Sequence, residues 1–218
     1  MEVMYMSKAR LIMLILPVAL VMSAVVSAPA VAHEWLKNGV AIKTAEPVLT
    51  VGGLIIIRSG PRVIHCEKHH DFELVLGDLD IGHILHFLEC ITLQAGCDVH
   101  SPGAGNGLIL WIGYHSLLVT RLNASKVNVL ADELQQNETT KEFGRLLFLA
   151  LAGGSCSEYG TETRVKGQIA AVVNNATETL EFPNPELQGN TLEAFGAAAK
   201  IFGSDKFSLV NGGALTAD

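Results

Sequence analysis

Val48-Leu49-Thr50-Val51-Gly52-Gly53-Leu54-Ile55-Ile56-Ile57-Arg58 carries the fold class of this chain. Two short apolar, β-branched runs, 48–51 and 54–58, meet at a glycine pair. Branched side chains suit a pleated surface, and glycine inside such a run marks a bend or a bulge. The same grammar extends outward. Residues 62–66 and 72–76 read as two further short strands. Residues 108–114 and 117–122 flank Gly113 and His115-Ser116, and 143–151 is a longer apolar run. Residues 165–173 alternate imperfectly, and 179–182, 194–202 and 207–210 complete the set. Lys37-Asn38-Gly39, Gly203-Ser204-Asp205 and Asn211-Gly212-Gly213 supply turns. Short strands cut by turn signals at this spacing predict an all-β fold, an antiparallel sandwich or a barrel-like domain.

Two stretches have some helical character. Residues 81–93 place Ile81, Ile84, Leu85 and Leu88 at helix-compatible spacing, and 192–201 holds the helix formers Glu193, Ala194, Ala197 and Lys200. Gly196 and Gly203 punctuate the second, and Phe195, Ala197, Ala199 and Ile201 alternate in it. Both are read as strands. The polar segment 132–141 is read as the longest loop.

The first 32 residues have the form of a secretory leader. Lys8 and Arg10 precede an uncharged apolar run, 11–26, and Ala30-Val31-Ala32 places small residues where the peptidase needs them. A cut after Ala28 would leave Pro29 at the new terminus, and a cut after Ala30 would put Pro29 inside the recognised triplet. The expectation is a signal peptide, 1–32, and one secreted β-rich domain, 33–218, beginning at His33. Residues 11–32 could span a bilayer of about 20 helical residues, but Pro17, Ser23, Ser27 and Pro29 weaken them as an anchor. No later segment is long and apolar enough to span as a helix.

Removal of the leader takes Lys8, Arg10 and Glu2 with it, so the net charge of −7 becomes −8 on 186 residues. An acidic surface repels phosphate backbones, which argues against nucleic acid as a partner. Four cysteines, Cys66, Cys90, Cys97 and Cys156, in an oxidising compartment imply two disulfides. Cys90 and Cys97 lie close enough to close a hairpin, which would leave Cys66 with Cys156. The rival pairing is Cys66–Cys90 with Cys97–Cys156. No Cys-x-x-Cys is present, so zinc-ribbon and thioredoxin readings lack support.

Several of these features occur together in a recognisable order. His33-Glu34-Trp35 follows the Ala-x-Ala cut, then come Gly52-Gly53-Leu54-Ile55-Ile56, Cys66 and Cys90. Cys97-Asp98-Val99-His100-Ser101-Pro102-Gly103, Gly107-Leu108-Ile109 and Val165-Lys166-Gly167-Gln168-Ile169 follow. This order resembles a group of uncharacterised secreted proteins of high-GC Gram-positive bacteria. The resemblance covers most of the mature chain, implies a β-rich extracytoplasmic protein and carries over no catalytic residue. The histidine-rich stretch 65–86 is not part of that pattern.

Six of the eight histidines, His65, His69, His70, His83, His86 and His100, fall within 36 positions, among Cys66, Glu67, Asp71, Asp78 and Asp80. Neutral imidazole is the commonest ligand for zinc, copper and nickel. His65, His69, His70, His83 and His86 are therefore the candidate metal ligands, with zinc or copper as the ion. On a strand His83 and His86 would point to opposite faces. A free His33 terminus would offer copper an amine and an imidazole. The competing reading is a set of scattered surface rings with no cofactor.

Other chemistry is thinly supported. Residues 101–107 are glycine-rich but lack the Gly-Lys-Ser/Thr ending of a phosphate loop. No Gly-x-Ser-x-Gly elbow occurs. Asp78 and Asp80 imitate a glycosidase pair only as any acidic loop would. Trp35, Phe87, Trp111 and Tyr114 could make a sugar-stacking platform, but aromatics are only 6% of the chain, and core packing suits Trp111 better. Asn123, Asn137 and Asn175 stand in glycosylation sequons. The expectation is a non-enzymatic secreted or envelope-associated protein acting through its surface. The alternative is extracytoplasmic transition-metal binding through residues 65–100.

Overall fold

The computed structural model describes residues 33–112, 115–136, 139–182 and 187–218, so residues 1–32, read above as a secretory leader, lie outside the described residues. Among these the chain is all strand and turn. The first strands are β1 (Trp35–Lys37), β2 (Val40–Ala41), β3 (Glu46–Gly52), β4 (Ile55–Ser59), β5 (Arg62–Leu76), β6 (Leu79–Ile81) and β7 (Ile84–Thr92). Next come β8 (Cys97–His100), β9 (Ile109–Ile112), β10 (His115–Leu122), β11 (Asn128–Gln135), β12 (Gly144–Ala150) and β13 (Glu162–Val165). The last are β14 (Gln168–Asn174), β15 (Thr179–Phe182), β16 (Glu193–Ala194), β17 (Ala197–Ala198), β18 (Lys200–Leu209) and β19 (Leu215–Ala217).

Eight of them close a barrel in the order β5-β3-β18-β15-β14-β11-β10-β6, with β6 returning to β5, and every pairing is antiparallel. Closure removes the free edges that an open sheet exposes. A second sheet, β13-β12-β8-β7, continues from the other side of β5, with β4 between β5 and β18 and β9 on β7. The small sheet β19-β1-β2 joins the β5–β6 turn, where Trp35 N–H donates to the Gly77 carbonyl at 2.7 Å and Gly77 N–H to that of Ile42 at 3.0 Å.

β5 is the hinge of this plan. Residues 62–66 and 72–76, read as two short strands, are the ends of one strand of 15 residues. Its lower half buries His69, Asp71, Glu73 and Val75 in the barrel, while its upper half buries Ile64 and Cys66 on the opposite face. Its neighbours change face at the same level. β3 buries Val48 and Thr50, and β4 buries Ile55 and Ile57; β7 passes from Leu85 and Phe87 to Cys90 and Thr92. Glu89, at φ 55°, makes the switch in β7. Between β3 and β4 a bulge makes it: the four steps from Gly52 to Ile56 lie against the three from Asp205 to Phe202 of β18. The Gly52-Gly53 pair is thus where the strand line crosses from one core to the other.

The second core is apolar and covalently stapled. Trp111 packs between Phe87, edge-on at 4.7 Å, and Phe143, stacked at 5.4 Å. Phe148, Tyr159 and Phe195 form a second ring cluster. The disulfides are Cys66–Cys90 and Cys97–Cys156, which corrects the expected Cys90–Cys97 and Cys66–Cys156. The reason is register. Cys66 and Cys90 are direct partners on β5 and β7, and β8 carries Cys97 away from Cys90 toward the turn that holds Cys156.

Two further readings change and one holds. Residues 132–135 belong to β11 and not to a loop, because Asp132 and Leu134 face into the barrel. Residues 192–201 form the β16–β17 hairpin and the start of β18, as alternation rather than composition indicated. Trp35, Phe87 and Trp111 are about 1% exposed and cannot form a sugar platform; Tyr114 lies outside the described residues.

Candidate functional site

Inside the barrel the alternation of β5 puts Asp71 and Glu73 on one face, two residues apart. Their registered neighbours on β3 are Thr50 and Val48. His83 enters from the turn between β6 and β7, where Gly82 takes φ 72°, a conformation that a side chain rarely adopts. Asp80 sits on β6, flanked by Val75 and Ser116, and Asp132 faces inward from β11. All six polar side chains, from five elements, are buried: Asp71, Glu73, Asp80, His83, Ser116 and Asp132.

Three atoms converge. His83 Nδ1 lies 2.7 Å from Asp71 Oδ2 and 2.9 Å from Glu73 Oε2, and one ligand atom from each residue falls within 4.8 Å of the others. Each group's other polar atom is held separately. Ile84 N–H donates to Asp71 Oδ1 at 3.0 Å, and Thr50 Oγ1 donates to Glu73 Oε1 at 3.4 Å. His83 Nε2 lies 3.4 Å from Ser116 Oγ, which donates to Asp80 Oδ2 at 3.1 Å. The outer contacts aim the three inner atoms at one point, the arrangement in which second-shell partners orient metal ligands.

The electrostatics are one-sided. Burial, then the Glu73 charge, pushes Asp132 up to about 7, and burial and the charges of Glu73 and Asp132 raise Asp80 well above the carboxylate range. Burial also raises Glu73, against the pull of His83. Burial alone would lower His83, but the Glu73 charge and the hydrogen bonds to Asp71 and Glu73 outweigh it and hold the imidazole well above its ordinary value. Asp80 Oδ1 and Asp132 Oδ1 are buried with no hydrogen-bond partner. Such orphan oxygens in a closed core are uncommon and point to a missing positive charge or donor.

One level up, His69 and Asp205 meet across β3. Their backbone partner on both sides is Gly52, and a Cβ there would lie 1.8 Å from the His69 ring. His69 Nε2 bonds Asp205 Oδ1, and Nδ1 lies 3.1 Å from the Gly53 carbonyl. Gly52 therefore leaves the gap that a buried His–Asp pair fills.

Of the five candidate histidines, only His83 reaches the convergent trio. His69 is engaged with Asp205. His70 and His86 face outward together, with His86 Nδ1 2.8 Å from His70 Nε2, and burial followed by the His86 charge lowers His70. His65 is half-buried on the sheet half of β5, away from the trio. Both ring nitrogens of His33 are engaged, with the Asp218 carbonyl at 2.6 Å and Thr120 Oγ1 at 2.7 Å. Asp78 is exposed while Asp80 is buried, so the two do not form an acid pair. The Asn175 amide is tied to the Ala217 backbone, and Asn137 lies outside the described residues. Sequence reasoning named Asp71 only as a neighbour of the histidines, named Asp80 as such and as half of an acid pair with Asp78, and missed Glu73, Ser116, Asp132 and Asp205 as site residues. Comparison with family models, curated proteins and solved structures returns no match.

Proposed function

We propose that this is a secreted or envelope-associated, non-enzymatic barrel that binds a divalent metal ion through Asp71, Glu73 and His83. The observation that carries the reading is the aim of Asp71 Oδ2, Glu73 Oε2 and His83 Nδ1 at one another, with their remaining atoms held from behind. Two carboxylates and a neutral imidazole around a divalent ion sum to zero charge, which suits a dry interior better than the same two carboxylates with one imidazolium, net −1. The donor set favours zinc, which takes histidine and carboxylate ligands, over copper, and manganese is the next candidate on account of its oxygen preference. Burial on all sides favours a structural or storage role over catalysis, because a catalytic ion needs a position that substrate can reach.

Metal analysis of the chain as exported, followed by titration of chelator-stripped protein with Zn²⁺ and Mn²⁺, tests the proposal. One equivalent in the wild type and none in D71N/E73Q is expected. A folded, stripped protein that takes up neither ion would overturn it.

A surface role is favoured by a separate observation. The outer faces of β3, β5 and β6 expose Leu49, Val51, Phe72 and Ile81, with Leu49 opposite Phe72 and Leu74 opposite Ile81. Exposed apolar residues gathered in this way mark contact surfaces. Sedimentation of F72S against wild type tests for self-association.

A further inference from the structure

We propose that His70 and His86 form a second metal site, a cross-strand pair of imidazoles on the outer wall for a tetragonal ion of the copper(II) type. The two residues are direct partners on β5 and β7. Their rings lie 4.7 Å apart at 75°, and the nearest nitrogens are 2.8 Å apart. Two nitrogens bound to one ion at about 2.0 Å are about 2.8 Å apart at a right angle and about 3.3 Å apart in a tetrahedron. The observed 2.8 Å is the length of a shared ring-nitrogen hydrogen bond, and it is close to the spacing of adjacent corners of a square, the arrangement of copper(II) and nickel(II). Binding requires the rings to turn so that the two lone pairs that now share a proton face one ion instead.

The surroundings hold the pair in place. His70 is registered against Val51 on its other side and His86 against Leu110, so both rings stand half-buried in an apolar wall. Solvent supplies the remaining ligand positions. Consecutive residues of a strand point to opposite faces. His70 therefore lies outside the wall and Asp71 inside it, and the two sites share no ligand. The proposal does not depend on the metal reading of the barrel interior.

The test is copper(II) titration of the secreted chain followed by electron paramagnetic resonance, on wild type, H70Q, H86Q, D71N/E73Q and H33Q. One equivalent with coupling to two imidazole nitrogens is expected in the wild type. That phase is lost in H70Q and in H86Q and persists in D71N/E73Q and H33Q. Circular dichroism of the glutamine variants reports whether the sheet is intact. Should either variant misfold, the rings of the wild-type protein are modified with diethyl pyrocarbonate instead. Copper should then protect His70 and His86, and equal modification with and without copper overturns the site. Unchanged binding in folded H70Q and H86Q overturns it as well. A signal lost only in H33Q assigns the copper to the amino terminus, and one lost only in D71N/E73Q assigns it to the barrel interior. Either result also overturns the proposal.

Discussion

The same wall strands line two buried regions that differ in polar content within one continuous apolar core. Above the level of Gly52, β4, β5 and β7 bury apolar side chains and the two disulfides, and the Phe87–Trp111–Phe143 stack sits at the crossing, where Phe87 is the registered partner of His69. Below it, β3, β5 and β18 enclose Asp71, Glu73, Asp80, Asp132 and Asp205 with two histidines, and no cysteine. The sheet half is secured by cross-links and ring packing, terms that do not depend on pH in this range. The barrel half depends on the charge state of a buried cluster. One strand can therefore serve a structural interior and a responsive one, provided that its buried face switches between them.

The largest effect should come from the cross-links. Chain-entropy arguments give about 4 kcal/mol for Cys97–Cys156 and about 3 kcal/mol for Cys66–Cys90, from sequence separations of 59 and 24. C97S/C156S should therefore cost more than C66S/C90S in chemical denaturation. Hydrogen exchange should show β8 and β12 losing protection before β11 and β14. Equal loss in both halves would mean that the two interiors unfold as one unit.

Metal loading should act on the other interior. At a free concentration a hundred times the dissociation constant, a bound ion adds about 2.7 kcal/mol, or roughly 5–10 °C in melting temperature for a domain of this size. H83Q should abolish the gain. The protection should appear in β5, β6 and β10 and leave β12 unchanged.

Much of the sheet half was legible in the sequence and little of the barrel interior was. Binary patterning reads residues 71–76 as an apolar face, Phe72, Leu74 and Leu76, behind a polar face, Asp71 and Glu73. The barrel reverses this: the acids point in and Phe72 and Leu76 are exposed. A shift of one residue moves every side chain to the other face, so alternation gives the strand but not the side that is buried. The same inversion hid Asp132, whose charge made 132–141 look like a loop. The all-β class survived because it needs only short branched runs and turns. Cysteine pairing did not, because it depends on which strands are neighbours, and Cys66 opposite Cys90 follows from the β5–β7 register alone.

The crossing point itself can be probed with a methyl group. Gly52→Ala would place a carbon where the His69 ring lies and 2.7 Å from the Ser204 carbonyl. Overpacking of this kind costs about 1–3 kcal/mol. G52A should displace His69 from Asp205 and lower the stability of β3 and β18, whereas G53A, with open space around the new carbon, should be milder. Equal effects at the two positions would show that backbone bending and not the His69 contact sets the need for glycine.

The smallest predicted effect is also the most specific to the polar interior. An aspartate in the unfolded chain ionises near 3.9, and Asp132 in the barrel is pushed up to about 7. Between those values the folded chain holds a proton that the unfolded chain has released. The Asp132 contribution to the stability of metal-free protein is therefore full below about pH 4 and is lost as pH rises through about 7. Glu73 and Asp80 are raised in the same direction, and the raised His83 adds a loss of the same sign above its ordinary range. Asp205 is raised by burial in the same direction, whereas the lowered His70 works the other way and its contribution rises with pH up to about 6.5. Glu46 and Glu89 are lowered, so their contribution changes only below about pH 4.5, outside this window. Asp132→Asn cannot ionise and should flatten the slope between pH 4 and 7 by about 1–2 kcal/mol, less than the whole shift, because Asp80 takes over part of the coupled proton. Denaturant midpoints of chelated wild type and D132N across pH 4–8 measure it. A D132N slope equal to that of the wild type would show that Asp132 is already neutralised by something other than a proton. In a stripped protein that result would leave the barrel interior no more responsive than the disulfide-bonded half.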